Sequence, residues 1–222
     1  IRQDFVANVS HELRTPLTTI KSYIEGIEDG IFEADQKTIY EINEELERLI
    51  KLVERLGKLT EAERKKIYMD KVIINLNELL DNLIQRYTKN FKDKDINIIK
   101  NFEDLNLKVR ADEESLESIF SNLISNAYKY NKKNGRIEVN LNEENNYAIV
   151  KIKDTGIGIN EKDLPFIFER FYRAESSRST KIKGTGIGLA VVKELIEALS
   201  GKIKVDSSKN GTIFTVYLPL VK

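Results

Sequence analysis

The sequence predicts two architectures in series: an N-terminal antiparallel helical hairpin forming a dimeric four-helix bundle, then a C-terminal α+β sandwich. Three observations carry that prediction. Residues 1 to about 66 place their apolar side chains at helical spacing and nowhere alternate in the manner of a strand. From about residue 70 onward, short runs rich in Ile and Val are interleaved with three amphipathic helical stretches. The 222 residues, 41% hydrophobic and 32% charged, suffice for two small cores and argue against global disorder.

In the first helix Val6, Val9, Leu13, Leu17, Ile20, Ile24, Ile27 and Ile31 run at spacings of 3, 4, 4, 3, 4, 3, 4, with a stutter beside Pro16. In the second, Ile39, Ile42, Leu46, Leu49, Val53 and Leu56 run 3, 4, 3, 4, 3, the repeat of a coiled-coil seam. Asp29-Gly30 and Glu33-Ala34-Asp35 supply the turn between them. One hairpin cannot bury both stripes, whereas two can, so a homodimer is expected. The first domain is thus read as 1–66 and the second as 70–222.

Within the second domain the pattern gives a strand at Val72–Leu76 and an amphipathic helix at Asn77–Phe91. Strands follow at Ile96–Asn101 and Leu107–Arg110. A helix over Glu113–Tyr130 has Asp112 as its cap. Ile137–Asn142 and Tyr147–Lys153 pair across a polar turn. A helix at Ile187–Leu199 precedes a closing hairpin, Lys202–Asp206 with Thr212–Leu218. Between those two strands Asn210-Gly211 reads as a type I′ turn.

Composition removes several functions. There is no Cys and one His, His11, so disulfides, thiolate chemistry and polyhistidine zinc sites are out. Lys+Arg and Asp+Glu both count 36, which lowers nucleic acid and anionic membrane as partners. No run of 18 apolar residues is present to span a bilayer, and no signal peptide is visible.

Five segments carry chemistry. His11 lies roughly 160° from the apolar seam of its helix and so points to solvent, with Thr15 one turn further on the same face. Pro16 inside that helix costs about 3 kcal/mol or more. Asn122, Asn126 and Lys129 form a polar stripe at i, i+4 and i+7. Asp154-Thr155-Gly156-Ile157-Gly158 follows a strand directly but fits neither a dinucleotide fingerprint nor a P-loop. Phe168 and Phe171, in Pro165–Arg173, read as core aromatics. Gly184-Thr185-Gly186-Ile187-Gly188-Leu189 opens a helix, where backbone N–H groups can cradle phosphate.

Taken in order, these segments resemble the boxes of sensor histidine kinases over nearly the whole chain. Phe5–Leu17 resembles the phospho-acceptor box, Asn122–Tyr130 the N box, Asp154–Gly158 the first glycine box, Pro165–Arg173 the F box, and Gly184–Ala190 the second glycine box. Near the C-terminus only Gly211 stands where the family's third motif has two glycines, so direct nucleotide contact there is not expected.

The resemblance implies an ATP-binding domain of the gyrase and chaperone ATPase superfamily. It makes His11 the phospho-acceptor, Glu12 the general base or orienting partner, and Thr15 a residue for the reverse reaction. Asp154 would read adenine. Asn122, Asn126, Lys129, Tyr130, Gly156, Gly158, Gly184, Thr185, Gly186, Gly188 and Leu189 would line the ATP site, with Asn126 holding Mg²⁺. The partner implied is the aspartate of a response regulator receiver domain. The chain opens at Ile1 and its only Met is Met69, so the expectation is the cytoplasmic portion of a membrane-anchored sensor. A clamp-driving ATPase and a non-catalytic scaffold are the rival readings. The first leaves Ser10–Pro16 unexplained, and intact His11, Asn126 and Asp154 weigh against the second.

Overall fold

The structure, a computed structural model, describes residues 2–65, 69–90, 95–102, 106–174 and 186–221. It divides into two compact units, Ile1–Leu59 and Thr60–Lys222.

The first unit is built from α1 (Arg2–Glu28) and α2 (Gln36–Lys65). Helix α1 runs unbroken through Pro16, which is buried. One turn on, the Thr19 hydroxyl donates to the Thr15 carbonyl at 3.1 Å, a back-bond common where a helix bends. Gly30 at φ 71° ends α1 in the left-handed conformation that glycine adopts freely. Ile31 and Phe32 then donate back to the Gly26 carbonyl at 2.7 and 2.9 Å. This folds the Phe32 ring over Gly26 and to 5.6 Å from Tyr23, and a Cβ at Gly26 would overlap that ring. Asp35 caps α2 by accepting from the Thr38 N–H at 2.7 Å, which holds its carboxyl below the ordinary range. The Tyr23 hydroxyl reaches Glu41 across the hairpin, and that bond raises its pKa.

The hairpin buries Leu52, a residue off the predicted seam. Seam residues Leu17, Ile24, Ile39, Leu46 and Val53 remain 46–53% exposed in the single chain.

The second unit contains β1 (Val72–Asn75), α3 (Leu76–Asn90), β2 (Asn97–Asn101), β3 (Lys108–Ala111) and α4 (Glu113–Lys129). Strands β4 (Arg136–Glu144) and β5 (Tyr147–Asp154) follow, and a 3₁₀ turn at Leu164–Phe166 precedes α5 (Gly188–Ala198). Strands β6 (Lys202–Ser208) and β7 (Gly211–Pro219) close the chain.

Five strands form one sheet in the order β2-β4-β5-β7-β6, antiparallel except for the parallel pair β2 and β4. Strands β1 and β3 form a small antiparallel sheet. Alternation in β4 sends Ile137, Val139 and Leu141 inward at 0% exposure and leaves Glu138 and Asn140 on the other face. Helix α4 packs on β4 and β5, with α3 and α5 beside it. Leu80, Leu83, Leu116, Phe120, Leu123 and Val192 lose all exposure in the layer between.

Three details differ from the sequence reading. Leu76 begins α3 instead of ending β1, because Asn75 caps the helix: it accepts from Asn77 N at 3.0 Å and donates to Glu78 at 2.9 Å. The turn in β4–β5 is a two-residue turn with Asn145 and Asn146 at φ 50° and 68°, the primed geometry. At the β6–β7 hairpin that geometry is absent. Neither Lys209 nor Asn210 has positive φ, and Gly211, the first residue of β7, stands at φ 131°. A Cβ there would run into the Asp154 carbonyl, so this glycine is needed for a close approach and not for the turn.

Candidate active site

The N-terminus of α4 is fixed by Asp112, whose carboxylate accepts from the Ser115 N–H at 2.9 Å and also from the Ser115 hydroxyl. Its buried face of Leu116, Ile119, Phe120, Leu123, Ile124 and Ala127 leaves the Asn122–Asn126 stripe on the other side, half-buried. The Asn122 amide donates to Ser118 O at 2.7 Å, and its Oδ1 lies 2.7 Å from where a Cβ on Gly188 would stand. Gly188 therefore lets the start of α5 close on α4. Among the described residues the Asn126 side-chain amide has no hydrogen-bond partner. The Lys129 ammonium sits 5.4 Å from the centre of the Tyr130 ring. Burial pushes the Tyr130 hydroxyl's pKa up, and the charge of Arg173 acts against that rise.

The other end of α4 meets the loop after β5. Ile157 N donates to Tyr130 O at 3.1 Å, and Gly156 is pressed against the same carbonyl, leaving no room for a Cβ. The Thr155 hydroxyl donates to Asn131 Oδ1 at 3.1 Å and accepts from Arg136 N at 2.9 Å. Asp154 is 6% exposed. Its Oδ1 accepts from Gly156 N at 2.7 Å and Thr212 N at 3.2 Å. Burial raises its pKa, and the two backbone bonds oppose the rise. Asp154 Oδ2 is not among the buried polar atoms lacking a partner and makes no hydrogen bond among the described residues, so it keeps contact with solvent.

Gly158, at φ 70°, abuts the Ser208 carbonyl. Ser207 accepts from Ile159 N at 2.8 Å and lies 2.9 Å from the Thr212 hydroxyl. Sequence reasoning missed Ser207 and Thr212, and it set the Gly211 segment apart from the site. The structure makes that segment the support of Asp154. A Gly-Thr pair at the start of a strand was the available signal.

The structure thus sets Gly156, beside Asp154, against Tyr130 at one end of the Asn122, Asn126 and Lys129 stripe and Gly188 against Asn122 at the other. Gly158 meets Ser208, Gly186 meets Phe171 and Tyr172, and Leu189 is half-buried in α5. Gly184 and Thr185 lie outside the described residues, as do the side chains of His11 and Glu12, whose backbone is within α1. Exposed Thr15 lines a pocket of about 510 Å³ on the first unit together with Arg14, Thr18, Ser22, Tyr23 and Phe32. Phe168 meets Phe214 edge-on at 6.4 Å, and both Phe168 and Phe171 are half-buried instead of fully within the core. Among the described residues no group of three His, Cys, Asp or Glu could hold a metal. Nor is any described helix long and apolar enough to cross a membrane.

Residues 1–64 match the His Kinase A (phospho-acceptor) domain, and residues 111–222 match the histidine kinase-, DNA gyrase B-, and HSP90-like ATPase domain. Sensor histidine kinase WalK of Bacillus subtilis (strain 168) is 38% identical over an alignment of 224 positions that covers 98% of this chain. The chain belongs to the sensor histidine kinases. It spans 36% of the length of that relative. Among solved structures, Acinetobacter baumannii histidine kinase AdeS matches with a TM-score of 0.72 and 27% identity, covering 96% of this chain and 98% of that one. Histidine kinase ThkA, solved in complex with response regulator protein TrrA, shares the fold at a TM-score of 0.79 and 23% identity, covering 98% of this chain and 61% of that one. The five segments singled out in the sequence fall, where described, on α1, α4, the loop after β5, the turns around Leu164–Phe166 and, from Gly186 onward, the start of α5.

Proposed function

We propose that this chain is a histidine kinase core that uses ATP to phosphorylate His11 and passes the phosphoryl group to an aspartate of a response regulator. One observation carries the nucleotide half of this reading: the Asn122–Tyr130 stripe joins the Asp154 loop at one end and the start of α5 at the other. Eight helical residues span about 12 Å, a distance a nucleotide can bridge from base to terminal phosphate. Asp154 Oδ2 is the acceptor suited to the adenine amino group. The α5 start, with no side-chain cap on its N–H groups, suits phosphate.

Asn126 fits Mg²⁺, because a half-buried amide oxygen without a partner is the hard donor that ion prefers, with phosphates and water completing its shell. When bound, the ion would offset charge on the phosphate oxygens. A neutral ring nitrogen of His11 attacks the γ-phosphorus in line, the P–O bond to ADP breaks, and Glu12 orients or deprotonates the other ring nitrogen. Thr15 orients the water that attacks the regulator's phospho-aspartate, breaking the acyl-phosphate bond and releasing inorganic phosphate. The exposed seam of Leu17, Ile24, Ile39, Leu46 and Val53 supports homodimerisation, since a contiguous apolar stripe of this length is rare on a monomer. The response regulator would dock near the Thr15 pocket, in the cytoplasm where ATP is supplied.

Incubation with γ-labelled ATP tests the reading. Acid-labile label on the protein is the expected result. Release of free phosphate alone would favour the clamp ATPase, and neither outcome would leave a scaffold.

A further inference from the structure

The segment Asp163–Tyr172 contains two features that folding alone does not require. Asp163 is 3% exposed, and its Oδ2 is buried with no hydrogen-bond partner. Burying a carboxylate oxygen without a partner is unfavourable, so its retention asks for a reason. Phe171 stands at φ 64°, in the left-handed region that bulky residues avoid. Strain of that kind persists only where neighbouring contacts enforce it.

The contacts are these. The Tyr172 hydroxyl donates to Asp163 Oδ1 at 2.6 Å, and the Tyr172 ring lies 5.6 Å from Phe166. The Phe171 N–H donates to the Gly186 carbonyl at 2.9 Å. Gly186, at φ 70°, lets the backbone approach so closely that a Cβ would stand 2.6 Å from the Phe171 carbonyl carbon. Arg170 reaches Glu194 on α5 at 3.4 Å. From Gly186 the chain passes through buried Ile187 to Gly188, against which Asn122 Oδ1 rests. An unbroken path of contacts therefore leads from the Asp163 carboxylate to the start of α5.

We propose that Asp163 and the Tyr172 hydroxyl form a latch that holds Phe171 in its strained conformation and thereby fixes Gly186–Gly188 for the triphosphate. Both are positioning residues, because neither lies on the Asn122–Tyr130 stripe nor on the Asp154 loop. The proposal rests on the nucleotide reading given above and assigns it a triphosphate-specific support. The base end of the site, held by Thr212 and Gly156, does not depend on the latch.

The test uses the full chain and four proteins: wild type, Tyr172→Phe, Asp163→Asn and Asp163→Leu. ATP binding is measured by calorimetry, adenosine binding by nuclear magnetic resonance titration, and folding by thermal melting. Tyr172→Phe and Asp163→Leu should weaken ATP about 10-fold and adenosine less than 2-fold. Asp163→Asn keeps an oxygen for the Tyr172 hydroxyl and should bind ATP within about 3-fold of wild type. Amide exchange at Phe171, whose N–H donates to the Gly186 carbonyl, should quicken in Tyr172→Phe and stay slow in Asp163→Asn. Equal weakening of ATP and adenosine, or unchanged affinity for both, would overturn the latch while leaving the kinase reading intact. A wild-type chain that binds no ATP would overturn the kinase reading and the latch with it.

Discussion

Asp154→Asn separates the two roles its carboxylate can play, support of the fold and recognition of a base. Its Oδ1 accepts two backbone N–H groups, at 2.7 and 3.2 Å, and an amide oxygen can accept both. The loss is the charge assistance, about 1 kcal/mol per bond. The gain is the removal of a buried charge. Because burial raises the folded pKa of Asp154 above its ordinary value, ionisation disfavours the folded state overall. The sign follows: that penalty is absent below the unfolded pKa, grows as pH rises through it, and is complete only above the raised folded pKa. Asparagine escapes it at every pH. The melting temperature of the variant at pH 7 should equal or exceed that of wild type, and the difference should vanish toward pH 3.

Nucleotide affinity should move the other way. With Oδ1 held by the backbone, the solvent-facing Oδ2 becomes Nδ2, a donor that confronts the adenine amino group. A lost charge-assisted bond and a stranded donor together cost about 2.5 kcal/mol even at the low end, roughly 70-fold in Kd. Calorimetric titration with ADP beside a thermal melt reads both effects. A Kd within 3-fold of wild type, or a melting temperature lowered by more than about 5 °C, would refute this account of Asp154.

Three further variants test the rest. His11→Ala should abolish acid-labile phosphate on the protein while ATP affinity stays within 2-fold, since acceptor and nucleotide elements belong to different units. Thr15→Ala should slow dephosphorylation of the regulator on the order of 10-fold or more with autophosphorylation preserved. Equal loss in both assays would mark Thr15 as structural. Asp112→Ala removes the α4 cap and should destabilise the domain by about 1 kcal/mol, a fall of about 2–4 °C on melting.

Local elements were legible in the sequence because their signals are local. Asp112 before a 3.6-period run announced α4, and polar turns between alternating runs announced both hairpins. Asn75 and Glu78 formed a readable capping pair that a strand assignment over Val72–Leu76 obscured. What escaped was pairing between distant segments. No local signal makes β2 run parallel to β4, or brings Thr212 to Asp154 across 58 residues of chain. Glycine at 211 looked like a turn residue because the neighbour that excludes a Cβ belongs to another strand. Leu52 escaped for the same reason: which of two apolar faces closes inside a hairpin depends on the partner helix. The left-handed Phe171 leaves no mark in composition at all, since a phenylalanine gives no warning of positive φ.

The position of β7 bears on how the protein is made. It is synthesised after every other strand of its sheet, yet it lies inside that sheet, between β5 and β6. Until β7 leaves the ribosome, β5 presents an open edge whose Ala148, Val150 and Ile152 later become core, a surface that invites pairing with other nascent chains. Asp154 also lacks the Thr212 N–H until then. The support of Asp154 is therefore complete only once β7 has been made, and a chain truncated before β7 lacks it.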